Sequence, residues 1–365
     1  MAERSGDYEW RIEGEEAEGL LYGPDESVLS YPRLRSGIEA ATRLPGVEGP
    51  VYAAASPHGG GWSVSSSSHV APGLVSAPRA GVLLVASSPV EKLGLTPDGL
   101  SRLLERRLAE IPIPALDDAA VYAACESGGR WAAEEGFIEE EDLDLLGSPV
   151  VWGEPDALGG RAVSAGGREW NPRGGDPVRA MVVGEVFDSE AAEETGVYKG
   201  ALVFSASVGS SELGRIALEG HRQRILSRDF GDSERLVAAP AGTGEAADLT
   251  AAVGAATNYA IARLSLLVYA LRRAMREVAG GLIPAAQWII GGIEECDGAM
   301  VHRNALARLG PGEPLVCGDA LACGTGAMLQ SAPPFSPGAG DRWPWEEAGT
   351  LKRITRLRPP GDLGE

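Results

Sequence analysis

Chemistry-bearing side chains gather near one end of this 365-residue chain. Between Cys296 and Gly340 lie Cys296, Cys317 and Cys323, the pair His302-Arg303, and glycine turns in the runs CGD (317–319), CGTGAML (323–329) and PGAG (337–340). Three thiols and an imidazole are donor types for zinc, so Cys296, His302, Cys317 and Cys323 could make a Cys₃His site. The C-x₂-C spacing of such sites is missing, and buried free thiols account for the same residues. The glycines mark places where a backbone turns tightly or comes close to a ligand. A second candidate is His58 in HGGGWSVSSSS (58–68), where a Ser-His hydrolase would need a nucleophile on a strained turn. No G-x-S-x-G is present, and a Gly/Ser-rich loop explains the composition. The third is the basic stretch RIALEGHRQRILSR (215–228), whose Arg215, Arg222, Arg224 and Arg228 could track a phosphate backbone. A surface helix with its arginines reaching into water fits that stretch equally well.

The elements that must position these groups are legible in outline. VYAAAS (51–56) and the apolar run ending in GVLLVA (81–86) read as buried strands. Residues 96–111 read as a helix with Pro97 near its start and Pro112 beyond its end. Residues 128–146 read as acidic and helical, and 159–177 as a Gly-rich turn region. Met181–Phe187 reads as a strand. The strongest helical pattern is Asp248–Ala279, with Asp248 as N-cap and Gly280-Gly281 as stop.

Composition sets the frame. A hydrophobic share of 44% is ample for a core, and the net charge of −20 disfavours general attraction to nucleic acid. No apolar run long enough to span a bilayer is evident, and MAERSGDYEW lacks the apolar stretch of a signal peptide. A cytoplasmic protein with free cysteines is expected.

Taken in order, these blocks resemble the RtcB family, RNA-splicing ligases that join a 3′-phosphate or cyclic phosphate to a 5′-hydroxyl. Where the family carries HRKGATRA, PGDMGTGSYVL and SHGAGR, this chain reads HRNALARL, CGDALACGTGAML and SPGAGD. The family's AANYAWANRQ corresponds to a stretch that keeps Asn258, Tyr259 and Ala260, and LKRITRLRP resembles its terminal VRPVARLRP. The resemblance runs from about Trp10 to Leu357. It implies a mixed α/β (α+β) RtcB-like fold, twisted sheets flanked by helices in one compact domain over 10–358. Residues 1–9 and 359–365 are then tails, and the family's segment after residue 340 is shortened.

The resemblance also implies a site whose reactive side chains are replaced. The family binds Mn²⁺ through a carboxylate, a thiolate and three imidazoles, and those positions fall on Leu83, Ala86, Pro177, Ser207 and Gly291. Its asparagine and glutamate positions fall on Asp176 and Ala180. Its nucleophilic histidine, which takes GMP, falls on Pro337, and proline has no nucleophilic side chain. The family's terminal lysine has no counterpart. Gly318, Asp319, Gly338, Ala339 and Gly340 remain as candidates for a phosphate-facing rim. No cofactor is expected, although the family uses GTP and Mn²⁺. The expected function is a binding or regulatory paralogue, with RNA or an intact ligase paralogue as partner and neither DNA nor membrane. The alternatives are an active GTP- and Mn²⁺-dependent ligase, or repurposed chemistry in the same cleft.

Overall fold

The computed structural model describes residues 2–6, 9–23, 25–55, 60–88, 97–146, 152–172, 178–228, 236–309, 311–325, 329–331 and 351–358. The chain opens with strands β1 (Ala2–Arg4), β2 (Glu9–Ile12) and β3 (Gly19–Tyr22). The sheet therefore begins ahead of Trp10, with Ala2–Arg4 pairing antiparallel to Trp10–Ile12. Helix α1 (Pro32–Ala41) has proline in its first turn, where the missing N–H is not needed. It leads to β4 (Val47–Ala54), which lies parallel to β3. Strands β5 (Gly61–Ser66), β6 (His69–Val70) and β7 (Arg79–Ala86) follow. A helical block then runs through α2 (Pro97–Glu110), α3 (Asp118–Ser127), α4 (Gly129–Glu134), α5 (Leu143–Leu146) and α6 (Gly160–Arg168).

Next come β8 (Val178–Val186), α7 (Ser189–Glu194), β9 (Leu202–Gly209), α8 (Ser211–Leu226) and β10 (Ala239–Pro240). Helix α9 (Gly244–Ala279) feeds the long hairpin of β11 (Leu282–Cys296) and β12 (Ala299–Leu309). The chain closes on β13 (Pro314–Cys317), β14 (Ala320–Gly324), β15 (Leu329–Ser331) and β16 (Leu351–Arg358).

Fourteen strands join one sheet in the order β1-β2-β3-β4-β5-β12-β11-β7-β9-β8-β16-β14-β13, with β15 on β12. Its centre separates two apolar layers. Ala80, Val82, Leu84 and Ala86 of β7 face the helices, packing with α9, α3, α6 and α8. Leu83 and Val85 face the other way, into a layer shared with Trp288, Leu315, Leu321 and Ile354. The alternation of a strand, one residue to each face in turn, places β7 in both cores at once. This is the mixed α/β fold that the sequence implies.

Four local readings change. Residues 61–66 are not loop but strand β5, paired with β4 and β12. Its serines are small enough to be enclosed there: Ser63 and Ser66 are buried, and Ser66 Oγ donates to the Pro45 carbonyl at 2.7 Å. Residues 160–168 form helix α6 rather than a turn region; a side chain at Gly166 would meet Leu213, so its glycines serve close helix packing. Helix α9 starts at Gly244, because Thr243 supplies the cap by accepting from Ala246 N–H at 3.3 Å; Asp248 lies a turn inside. Finally, α9 is long and apolar enough to cross a membrane by length and composition, which corrects the reading that no run reaches that length. Its apolar window is wholly buried within the protein, as in a core helix.

Candidate functional site

The family's ligand positions bear on strands β7, β9 and β11. Leu83 and Ala86 lie three residues apart on one regular strand, so their side chains enter opposite layers. A carboxylate and a thiolate placed there would be separated by the sheet. Ser207 stands opposite Gly81 on the β9 side, and Trp288 stands opposite Gly81 on the β11 side. The row Ser207–Gly81–Trp288 thus crosses three adjacent strands. A Cβ at Gly81 would lie 2.3 Å from the Trp288 indole, so the ring covers Gly81. One row along, Leu83 sits between Ser205 and Ala286. The surface between Ser207 and Leu83 is filled by carbon, and Trp288 is 6% exposed.

Gly291 sits in the irregularity between Ile290 and Gly292 with φ +76°, and a Cβ there would fall 2.4 Å from Ser76 Oγ. Position 291 has room for no side chain as the strand stands, and the residues on either side of it are Ile290 and Gly292. Ala180 is on β8, while Asp176, Pro177 and Pro337 lie outside the described residues. The side chains described at these positions do not fit a divalent cation, which needs charged oxygen, nitrogen or sulfur donors in a fixed cage. Among the described residues, no group of three or more His, Cys, Asp or Glu is gathered as a metal site.

The zinc candidates are accordingly dispersed. Cys296 ends β11, His302 is on β12, Cys317 on β13 and Cys323 on β14; the cysteines are free. His302 is buried, and its Nε2 accepts from Ala71 N–H at 3.0 Å, which leaves the ring proton on Nδ1. Arg303 beside it donates to Glu294 Oε1 at 2.7 Å and to the Gly291 carbonyl at 3.2 Å. His302-Arg303 therefore fasten the β11–β12 hairpin and the loop before β7. His58 lies outside the described residues.

Gly318 and Asp319 form the two-residue turn between β13 and β14. Gly318 has φ +65°, as the first central residue of a type II′ hairpin turn requires, and the Asp319 carbonyl accepts from Leu357 N–H at 2.6 Å. Gly338, Ala339 and Gly340 lie outside the described residues.

On α8, each candidate arginine faces a carboxylate. Arg215 pairs with Glu212, Arg222 with Glu219 at 3.6 Å, Arg224 with Asp248 at 3.8 Å and Arg228 with Glu245 at 2.7 Å. His221, buried on the same helix, meets the Ala157 carbonyl through Nε2 at 3.0 Å.

Comparison with known proteins places this framework. The sequence profile of the family described as tRNA-splicing ligase RtcB matches residues 39–288. The chain belongs to the RtcB family. It is 31% identical over 179 residues to the tRNA-splicing ligase RtcB of Methanopyrus kandleri, covering 42% of this chain and 18% of that protein. The Pyrococcus abyssi RtcB is 29% identical over 174 residues, 45% of this chain and 18% of that protein. The Thermococcus kodakarensis RtcB is 27% identical over 161 residues, 41% of this chain and 33% of that protein. The chain thus spans between 18% and 33% of the length of these curated relatives.

The RtcB match is shorter than the resemblance traced from Trp10 to Leu357. It runs from within α1 to Trp288 and leaves out β12 to β16. The residues kept from the RtcB helix pattern join elements together. Asn258 Nδ2 donates to the carbonyls of Cys125 and Glu126, at 3.1 and 3.2 Å, tying α9 to α3. The Tyr259 hydroxyl donates to the Gly166 carbonyl of α6 at 2.8 Å. At the next family position, Arg263 is buried and donates to the carbonyls of Trp170 and Gly209 and to Ser211 Oγ. Sequence reasoning passed over Trp288, because an apolar residue carries no chemical signal and its partner Gly81 is distant in the chain. It also passed over Glu294, whose only signal was the glutamate that ends the family's DVAHNIxxxE block.

Proposed function

We propose that this chain is an RtcB-family protein that has lost ligation and acts as a binding or regulatory paralogue in the cytoplasm. The observation that carries this reading is the row Ser207–Gly81–Trp288, with an indole lying over the glycine that accompanies the family's metal ligands. Leu83 and Ala86 on opposite faces, and a Gly291 with no room for an imidazole, support it. GTP and Mn²⁺ are then not resident cofactors. The kept contacts of Asn258 and Tyr259 fit a framework retained for its shape. Its partner is RNA or an intact ligase of the same family. The opposing reading, an active ligase of RNA 3′-phosphate and 5′-hydroxyl ends, rests on the family match. An assay with such ends, GTP and Mn²⁺ separates the two: the proposal expects no joined product, and joined product overturns it.

Where RNA is the partner, Arg215, Arg222, Arg224 and Arg228 of α8 are the contact surface. Their carboxylate neighbours on the protein then exchange with phosphate, so affinity falls steeply with salt. Replacing Arg222 and Arg224 by glutamine is expected to weaken RNA binding and to lower the slope of log K against log salt by roughly 1. Unchanged affinity and slope in this double variant would remove α8 from the account.

A further inference from the structure

On the helix side of the hairpin, away from the Trp288 layer, a cleft of about 430 Å³ opens between the first turns of α9 and the β11–β12 hairpin. Its walls are small and apolar: Val70, Ala246, Ala247, Ile293 and Met300 contribute, with Thr250 on the helix. Two groups stand out from them. Glu294 and Glu295 line one side, Glu294 held by Arg303 and Glu295 exposed opposite Met300 in the ladder. Trp152 lines the other, with 62% of its surface exposed.

The indole is exposed, yet its mount is fixed. The main chain of Trp152-Gly153 lies against α9 so closely that a Cβ at Gly254 would fall 2.0 Å from the Trp152 carbonyl oxygen, and one at Gly153 would fall 2.2 Å from Ala255 N. Glu154 N–H donates to the Ala251 carbonyl at 3.3 Å and extends that contact. An aromatic face held over a small apolar cleft, with carboxylates across from it, matches one ligand chemistry. The ring's negative face and the carboxylates both attract a cation, and the alanine, valine and isoleucine walls accept a hydrocarbon body. The volume lies within the range of about 300–1,000 Å³ that small-molecule sites occupy.

We propose that this cleft binds a small organic cation, an ammonium carried on an aromatic or aliphatic body, with Trp152 over the charge and Glu295 beside it. Phenethylamine, cationic at neutral pH, and 2-phenylethanol, its neutral counterpart, are suitable probes. Calorimetric titration of the full chain with phenethylamine is expected to saturate with a Kd of about 1 mM or tighter. The alcohol is expected to bind at least about tenfold more weakly, as are phenethylamine to Trp152→Ala and to Glu295→Gln. Both substitutions are at exposed side chains, and an unchanged thermal transition verifies that each variant is folded. Absence of saturable binding, equal affinity for the alcohol, or unchanged affinity in either variant would overturn the proposal. The cleft faces away from the Trp288 layer, so this outcome is independent of any ligation assay.

Discussion

Replacing Asp142 by alanine is expected to lower the stability of the protein by about 3–5 kcal/mol, the largest effect of any single substitution considered. Asp142 is 8% exposed and receives both terminal nitrogens of Arg272, at 2.5 and 2.7 Å. It also accepts from Glu139 N–H at 3.0 Å, closing the turn that leads into α5. Arg272 in turn donates through Nε to the Leu282 carbonyl at 2.9 Å, where β11 begins. One ion pair therefore joins the helical block, α9 and the central sheet. Removing the carboxylate leaves a largely enclosed guanidinium without its counter-charge, and that desolvation, more than the lost attraction, dominates the loss. Urea unfolding of Asp142→Ala and of the double variant Asp142→Leu/Arg272→Met measures it. The double variant is expected to recover much of the stability, because an apolar pair carries no desolvation penalty. A loss under about 1 kcal/mol in the single variant would show that water already reaches the pair.

The second large effect is acid destabilisation from two buried histidines. Burial pushes His302 down to about 4, and burial together with the Arg224 guanidinium pushes His221 down to about 4. Both imidazoles are thus neutral in the folded state where the unfolded chain, with a pKa near 6.5, takes up protons. The sign follows from that difference: stability is complete above pH 6.5, declines as pH falls, and the contribution is exhausted below about 4. By pH 5 each histidine contributes a loss of about 2 kcal/mol, in a window mostly above carboxylate titration. Unfolding free energies between pH 7 and pH 5 are expected to fall accordingly, and His221→Gln is expected to flatten that limb. A flat profile across this window would mean that the two rings reach solvent in the folded state.

The legible parts of the fold were those with a strong local period or run. The apolar stretch of β7 and the long helix α9 were recovered, as was the stop at Gly280, whose φ of +70° only glycine adopts readily. What local pattern misjudged was decided by distant partners. Ser63 and Ser66 read as loop residues, yet β4 and β12 on either side make them a strand. The glycines of α6 read as a turn until α3 and α8 are packed against them. At the site, sequence comparison located the replaced ligand positions, because those are changes of chemical type at aligned places. It did not show what fills their space. Trp288 covers Gly81 only because the antiparallel register of β11 on β7 sets them opposite each other, and that register is a property of the sheet. The arginines of α8 were visible as a basic run, while Asp248 and Glu245, which face two of them, come from a neighbouring helix.

The central claim is that this RtcB-family chain cannot form the family's covalent guanylate. Incubation of the full chain with radiolabelled GTP and Mn²⁺, followed by denaturing electrophoresis, tests it directly. The expected result is no labelled protein band across a range of Mn²⁺ concentrations, with an active RtcB ligase as the labelled control. A labelled band of this chain that survives denaturation would contradict the account, and would place a nucleophile where the sequence has Pro337.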